Sequence, residues 1–238
     1  MKNTIFGKLV VFLISLVVLV SSCNAKIEGE LKQGGSAELH IQAALEPMTA
    51  ALIRSLRSFL GQGAGAPLMD AEALSRSMSA APGIKALSLS NTTSSSIEGT
   101  ISLSNVGNFL SVVGERRFIT YTEGQRDSSI VINLDRESAP AIISRLSTEA
   151  EEYLLALMAP VMTGEASSKQ EYLALVSMVY GRPLADEIAS ARILASIDLP
   201  RPVTAVKGGT ARAKRAEFTV PLLDLLVLET PLRYEISW

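Results

Sequence analysis

The sequence is poor in the residues on which many catalytic and metal sites depend. It has one cysteine, Cys23, and one histidine, His40, in 238 residues. A single cysteine excludes disulfides within the chain and metal sites built from several thiolates. The formal net charge of −2 argues against a nucleic-acid-binding protein, because such proteins carry strongly basic surfaces. The composition therefore favours a protein that relies on its apolar core and works without a cofactor or metal.

Long apolar runs are also scarce, and the most extended one lies at the start of the chain. Lys2 and Lys8 precede the run from Leu9 to Val20, in which Ser15 is the one polar residue. This run is too short to span a bilayer comfortably, since a spanning helix takes about 20 residues. A basic start, a short apolar run and small residues after it are typical of a secretory signal. The pattern predicts a signal peptide over residues 1–22.

The residues VSSC, Val20 to Cys23, end this segment. They resemble a bacterial lipobox, and Ser22, where Gly or Ala is commoner, resembles the relaxed boxes of spirochaetes. The resemblance implies that Cys23 receives a diacylglycerol, that the signal is removed before it, and that a second acyl chain, such as palmitate, joins the new amino group. Two chains give stable membrane attachment, whereas one gives only marginal binding. The alternatives are an uncleaved signal anchor and a plain signal peptide with an accidental cysteine.

The residue after the cysteine bears on which membrane is used. Asn24 is not the aspartate that marks inner-membrane retention in enteric bacteria. The resemblance to lipoproteins therefore implies attachment to the outer membrane, on its periplasmic side.

Strand patterns and helix patterns follow one another along the rest of the chain. Residues 23–26 are predicted to be a short lipidated tether, and residues 27–238 a single globular domain. A hairpin around the turn QGGS opens this domain, and a helix follows Pro47. The order strands, helices, strands predicts an α+β fold, in which an antiparallel meander carries helices on one face. The first helix places five apolar residues on one side, Met48, Leu52, Leu56, Phe59 and Leu60, and a second helix is expected near Asp70 to Ser79. Further strands are expected at 84–90, 96–104, 116–123, 128–135, 193–199, 216–221 and 232–238. A helical section at about 137–192 has candidate helices at 138–147, 148–162, 168–180 and 183–192.

The layout of these elements resembles a known type of envelope protein. A hairpin directly after the lipobox cysteine, central helices, and a closing section IDLPRPV…GG…AEFTVPLLDL are similar to the LppM-type domain of bacterial envelope lipoproteins. The resemblance implies a lipid-anchored α+β domain, and that family offers no catalytic motif to carry over.

Three motifs are candidates for catalytic or ligand sites. The glycines of GQGAG at 61–65 follow a helix, whereas a phosphate-binding loop precedes one, so they predict a helix stop. His40 falls on the polar face of its strand, which favours a solvated side chain over a catalytic base. Glu149, Glu151 and Glu152 begin a predicted helix, where negative charge offsets the helix dipole. The sequence therefore predicts that the protein is not an enzyme.

A basic stretch near the end of the chain is a second kind of candidate site. Its five cations occur with no acidic residue between them and predict contact with anionic lipid headgroups, each adding about 1 kcal/mol near such a surface. A solvated hairpin tip is the alternative. The five residues are Arg201, Lys207, Arg212, Lys214 and Arg215.

Apolar residues of the helical section are the third candidate. Methionine adapts to irregular shapes, so these residues are predicted to line a pocket for an acyl chain, which the helix after Pro47 would cover. Ordinary core packing is the alternative. Together the patterns predict a non-catalytic envelope lipoprotein that binds a hydrophobic or lipid ligand; a structural or protein-interaction role in the envelope is the other hypothesis. The predicted pocket residues are Leu154, Leu157, Met158, Met162, Leu173, Val176 and Met178.

Overall fold

The computed structural model describes residues 23–59, 66–79, 82–113, 118–139 and 153–238. Within them the chain is α+β, as predicted, and most strand pairs are antiparallel. Predictions for the signal peptide, for GQGAG and for Glu149, Glu151 and Glu152 lie outside these residues. The strands are β1 (Cys23–Leu31), β2 (Ala37–Leu45), β3 (Ile84–Thr93), β4 (Ser96–Leu103), β5 (Ile119–Thr122), β6 (Ser129–Leu134), β7 (Arg192–Asp198), β8 (Ala205–Lys207), β9 (Gly209–Arg212), β10 (Arg215–Pro221) and β11 (Leu232–Ser237).

The larger sheet has seven strands in the order β3-β4-β2-β1-β7-β10-β9. Strand β1 lies near its middle, antiparallel to β2 and parallel to β7. Residues 23–26, predicted as a tether, are already part of β1, because β2 extends far enough to pair Leu45 with Cys23. Ala25 is 3% exposed, so a residue only two positions after Cys23 belongs to the core.

The predicted hairpin is confirmed, with Ile27 opposite Ile41 and Leu31 opposite Ala37. Gly34 and Gly35 in its turn have φ angles of 90° and 80°. Residues other than glycine rarely adopt such positive φ angles, which explains the glycine pair in QGGS.

A second, four-stranded sheet has the order β5-β6-β11-β8. The sequence predicted strands at the places of β5, β6 and β11 and none at β8, and it placed β5 and β6 in one meander with β3 and β4. The structure differs because a helix, Val106–Val113, follows β4 and leads the chain out of the larger sheet. The alternation within a strand specifies which side chains are buried, and it does not specify the sheet to which the strand belongs.

Seven helices in the described ranges complete the fold. The predicted helix 148–162 is not continuous, because Met158 has a φ of 50° and Pro160 starts a new helix, for which its fixed φ is suited. The helical residues before this break are 153–156. The helices are α1 (Pro47–Phe59), α2 (Ala71–Met78), α3 (Val106–Val113), α4 (Pro160–Thr163), α5 (Lys169–Tyr180), α6 (Arg182–Ser190) and α7 (Leu222–Val227).

Buried apolar residues form two clusters. The first lies on the inner face of the larger sheet and includes Ile41, Ile101 and Met69. The second joins residues 153–159 with α5, α6 and α7. Ile53 of α1 packs against both clusters, so α1 lies where the sheet meets the helical section.

Candidate functional site

Cys23 occupies the end of a central strand of the larger sheet. It pairs with Leu45 of β2, and Ala25, two residues later, pairs with Ile193 of β7. The side-chain amide of Asn24 donates a hydrogen bond of 2.9 Å to the carboxylate of Glu46, which ties the start of β1 to the residue before α1. A group attached to Cys23 therefore starts at a fixed place, at the end of the sheet where β1 starts and β2 ends. We call this end of the sheet the Cys23 end.

Arg201, from the basic stretch, is bound within the protein. Its guanidinium donates hydrogen bonds to the carbonyls of Gln125 and Arg126, at 3.0 and 2.5 Å. It also donates to the Ser128 hydroxyl at 3.1 Å and to the Trp238 carbonyl at 3.0 Å. Arg201 thus connects the β5–β6 loop to the last residue of the chain.

Arg215 lies on the solvent-facing side of the larger sheet among carboxylates of three strands. Its guanidinium nitrogens lie 3.1 Å from Asp198, 3.2 Å from Glu217 and 3.6 Å from Glu28. Lys214 donates to the carbonyl of Pro200 at 3.0 Å. These contacts favour a structural role for both cations.

Lys207, Arg212 and Lys214 are exposed, and Lys207 and Arg212 also have no side-chain hydrogen bond or ion pair within the described residues. Arg212 pairs with Arg215, which pairs with Asp198, which in turn pairs with Glu30 near the end of β1. Since a strand rises about 3.3 Å per residue, Arg212 lies about 25 Å from the Cys23 end. The structure therefore does not bring the predicted lipid anchor and this predicted headgroup contact to one surface.

The predicted pocket residues do not all face the same space. Leu154, Leu157 and Val176 are at most 1% exposed and belong to the second cluster, with Met162 and Leu173 partly buried at its margin. Met158 is half-buried. Met178 is 79% exposed because it lies on the side of α5 opposite the buried Tyr172 and Val176, so its assignment to an interior pocket is wrong.

Two tyrosines of α5 hold the helical section together. The Tyr172 hydroxyl donates to the carbonyl of Leu157 at 3.3 Å, and the Tyr180 hydroxyl donates to the carbonyl of Ala156. Burial raises the pKa of Tyr172 well above its ordinary value, so this hydroxyl stays protonated and remains a donor. These contacts fix residues 153–159 against α5.

His40 is exposed on the polar face of the larger sheet, as predicted. In register it lies between Glu28 of β1 and Thr100 of β4, and Ser88 of β3 follows Thr100. The sequence did not indicate this row of acid, imidazole and hydroxyls, because it depends on pairing between four strands. The Glu28 carboxylate lies 3.0 Å from Lys26 and 3.6 Å from Arg215, and the hydrogen bond from Lys26 lowers its pKa. In the described ranges no three His, Cys, Asp or Glu residues are grouped to hold a metal ion.

Glu187 of α6 is a residue of structural importance that the sequence did not single out. Its carboxylate accepts hydrogen bonds from the backbone N–H of Met48 at 2.8 Å and of Thr49 at 3.0 Å. These N–H groups belong to the first turn of α1 and have no acceptor within the helix, so a side chain of α6 caps α1. No local capping motif indicates a partner so distant in sequence.

Comparisons with known proteins give one match in overall shape. No family model matches the chain, and no curated protein sequence matches it. The NMR structure of the folded domain of the Mycobacterium tuberculosis LppM protein aligns with 91% of this chain and 88% of that chain, with 8% sequence identity and a TM-score of 0.41. This neighbour is of the type that the sequence layout resembles, but a similarity at this level carries no argument about ligand or activity. In the part of the chain that the structure describes, no helix is long and apolar enough to cross a membrane.

Proposed function

We propose that this chain is a cell-envelope lipoprotein, held on the outer membrane at its periplasmic side by acyl chains on Cys23. The observation that carries the proposal is the place of Cys23 in the larger sheet, where it pairs with Leu45 of β2. Ala25, two positions later, is 3% exposed. A chain cut before Cys23 keeps every strand pair described for β1, and the folded body then follows the lipid directly.

Replacing Cys23 with serine is expected to abolish fatty-acid attachment. Cells expressing the Cys23→Ser variant with labelled palmitate should show no labelled protein, whereas the parent should be labelled. The measurement is label incorporation, and density-gradient fractionation of the parent tests the outer membrane.

The matched control restores one cysteine at a different place. Ser88 is exposed on β3, so a Cys23→Ser/Ser88→Cys variant has a single thiol outside the lipobox and should stay unlabelled. Label in this control, or undiminished label in Cys23→Ser, contradicts the anchor.

We further propose that the anchored body acts by binding a hydrophobic ligand without catalysis. Support comes from the margin of the second cluster, where Met162 and Leu173 are partly buried beside the fully buried Leu157. Thioether and leucine side chains at such a margin adapt to an apolar guest. A structural or protein-interaction role is the second candidate, and the tight burial of Leu154, Leu157 and Val176 favours it, since a ligand would have to separate packed side chains.

Native mass spectrometry separates these two roles. Protein expressed without residues 1–23 and purified without detergent is expected to retain a bound lipid, and Leu173→Trp in this protein is expected to lose most of it by filling the margin. Met178→Trp is the matched control, because Met178 is 79% exposed on the same helix, and it should retain the lipid. An unliganded parent, or equal loss in both variants, favours the interaction role.

A further inference from the structure

We propose that helix α1 is the membrane-contacting surface of this protein and lies on the bilayer that holds the acyl chains of Cys23. The inference rests on the proposed lipid anchor and adds to it an orientation of the folded body. Its occupant is a lipid surface rather than a second protein.

Hydrogen bonds at both ends of α1 place the helix across the Cys23 end of the larger sheet. At its start, Glu46 bonds to Asn24, next to Cys23. At its end, Arg57 donates to the carbonyls of Pro67 and Leu68, at 2.8 and 3.3 Å. Leu68 and the end of β2 are in turn hydrogen-bonded to the β3–β4 turn, through Leu68 N–H to Ser94 at 2.6 Å and Leu45 N–H to Ser95 at 2.9 Å.

The apolar side of α1 predicted from the sequence is only partly the side that the core buries. Thr49 and Ala50 are buried, Ile53 packs against both clusters, and Leu52 packs against the second cluster. The rest of the stripe is more open: Phe59 is 89% exposed and Met48 38% exposed, and Leu56 is only partly buried. A 13-residue helix is about 20 Å long, so this stripe extends along most of the Cys23 end of the sheet.

The charge of α1 suits an anionic lipid surface. The helix contains Arg54 and Arg57 and no acidic residue. Arg54 is exposed, whereas Arg57 is bound to loop carbonyls. An amphipathic helix with exposed aromatic and aliphatic residues and a positive charge typically lies in the membrane interface. The basic stretch that the sequence suggested for headgroup contact points elsewhere, because Arg212 lies at the other end of the strands.

The position of the anchor limits how the body can turn. Only Asn24 lies between Cys23 and the buried Ala25, a span of about 7 Å. A body attached so closely presents the Cys23 end to the bilayer. The exposed stripe of α1 and the anchor thus belong to one surface, and a second copy of the chain would have to share this surface with lipid.

Lipid-quenched tryptophan fluorescence tests the orientation on full-length protein expressed in a lipidating host. The purified protein is reconstituted in vesicles of phosphatidylcholine and phosphatidylglycerol that contain nitroxide-labelled lipid. The native Trp238 is 3% exposed and supplies a constant background. Phe59→Trp and Met48→Trp place a reporter on the stripe, whereas Met178→Trp, also at an exposed apolar residue, and Gln33→Trp, in the hairpin turn at the far end of β1, are matched controls.

The added emission of Phe59→Trp and Met48→Trp is expected to fall by roughly half or more in nitroxide vesicles, since an interfacial helix inserts its apolar side. The two control reporters should match the parent. Equal quenching at all four positions overturns the proposal while the anchor stands. A blue-shifted but unquenched reporter at 59 also overturns it, because protein then covers the stripe. If the parent floats with vesicles no better than Cys23→Ser, the anchor itself fails, and this inference fails with it.

Discussion

Replacing Arg201 with alanine is expected to lower the free energy of unfolding by about 2–3 kcal/mol. The reason is that one guanidinium serves four acceptors, which include the carbonyls of Arg126 and Trp238. Hydrogen bonds from a charged donor contribute about 1.5–3 kcal/mol, and the Trp238 carbonyl keeps the bond from the Ser128 N–H, so the loss comes from the guanidinium bonds themselves. Chemical denaturation followed by circular dichroism measures the loss.

The matched control for Arg201 comes from the same basic stretch. Arg212 is exposed, so Arg212→Ala should change stability by no more than about 0.5 kcal/mol. Neither variant should change vesicle association at low salt if α1 is the lipid-contacting surface. Equal stability of the two variants would contradict the structural role of Arg201.

Replacing Ile101 with alanine is expected to cost about 2–5 kcal/mol, the range for deleting a buried isoleucine side chain to its β-carbon. Ile101 is 0% exposed, on the strand β4 that lies between β2 and β3. Its neighbours in register are Leu39 and Leu87, which are held by strand pairing and cannot readily close the cavity. The midpoint and slope of urea unfolding give the change in free energy.

Thr100 is the matched control for Ile101, because the adjacent residue of β4 points to the opposite face. Thr100→Ala should cost about 1 kcal/mol or less, the size of a strand-propensity difference. The same variant alters the row that contains His40, so an activity that depended on this row would be lost without a loss of stability. A cost at Thr100 similar to that at Ile101 would show that β4 does not have the burial pattern described above.

Much of the strand pattern could be predicted from alternation, because burial on one face selects apolar residues at every second position. Ile97, Ile101 and Leu103 are all at most 4% exposed, as their spacing predicted, and the β1–β2 hairpin follows from its glycine turn. The partners of each strand could not be predicted. The parallel pairing of β1 with β7 and the separate sheet formed around β6 and β11 depend on contacts between residues that are distant in sequence.

The candidate sites were harder to predict for the same reason. No acidic residue lies within the basic stretch in the sequence, but the fold brings Asp198 and Glu28 of neighbouring strands close to Arg215. For α1, the pattern correctly predicted a helix with one apolar side and suggested that this helix covers an acyl pocket, whereas Phe59 and Met48 on that side are exposed. A periodic stripe indicates that a helix has an apolar side, and it does not indicate what covers that side. That Met48 and Phe59 are exposed, and not covered by the core, could be learned only from the structure.

The place of β1 in the larger sheet has a consequence for the order in which the fold can form. Ala25 completes its parallel pairing only with Ile193, roughly 170 residues later, so the sheet closes when most of the chain has been made. Pairings of such long range make folding slow and leave strand edges open in the meantime. Under the lipoprotein role proposed above, the open side of β1 would be held next to the membrane during this interval.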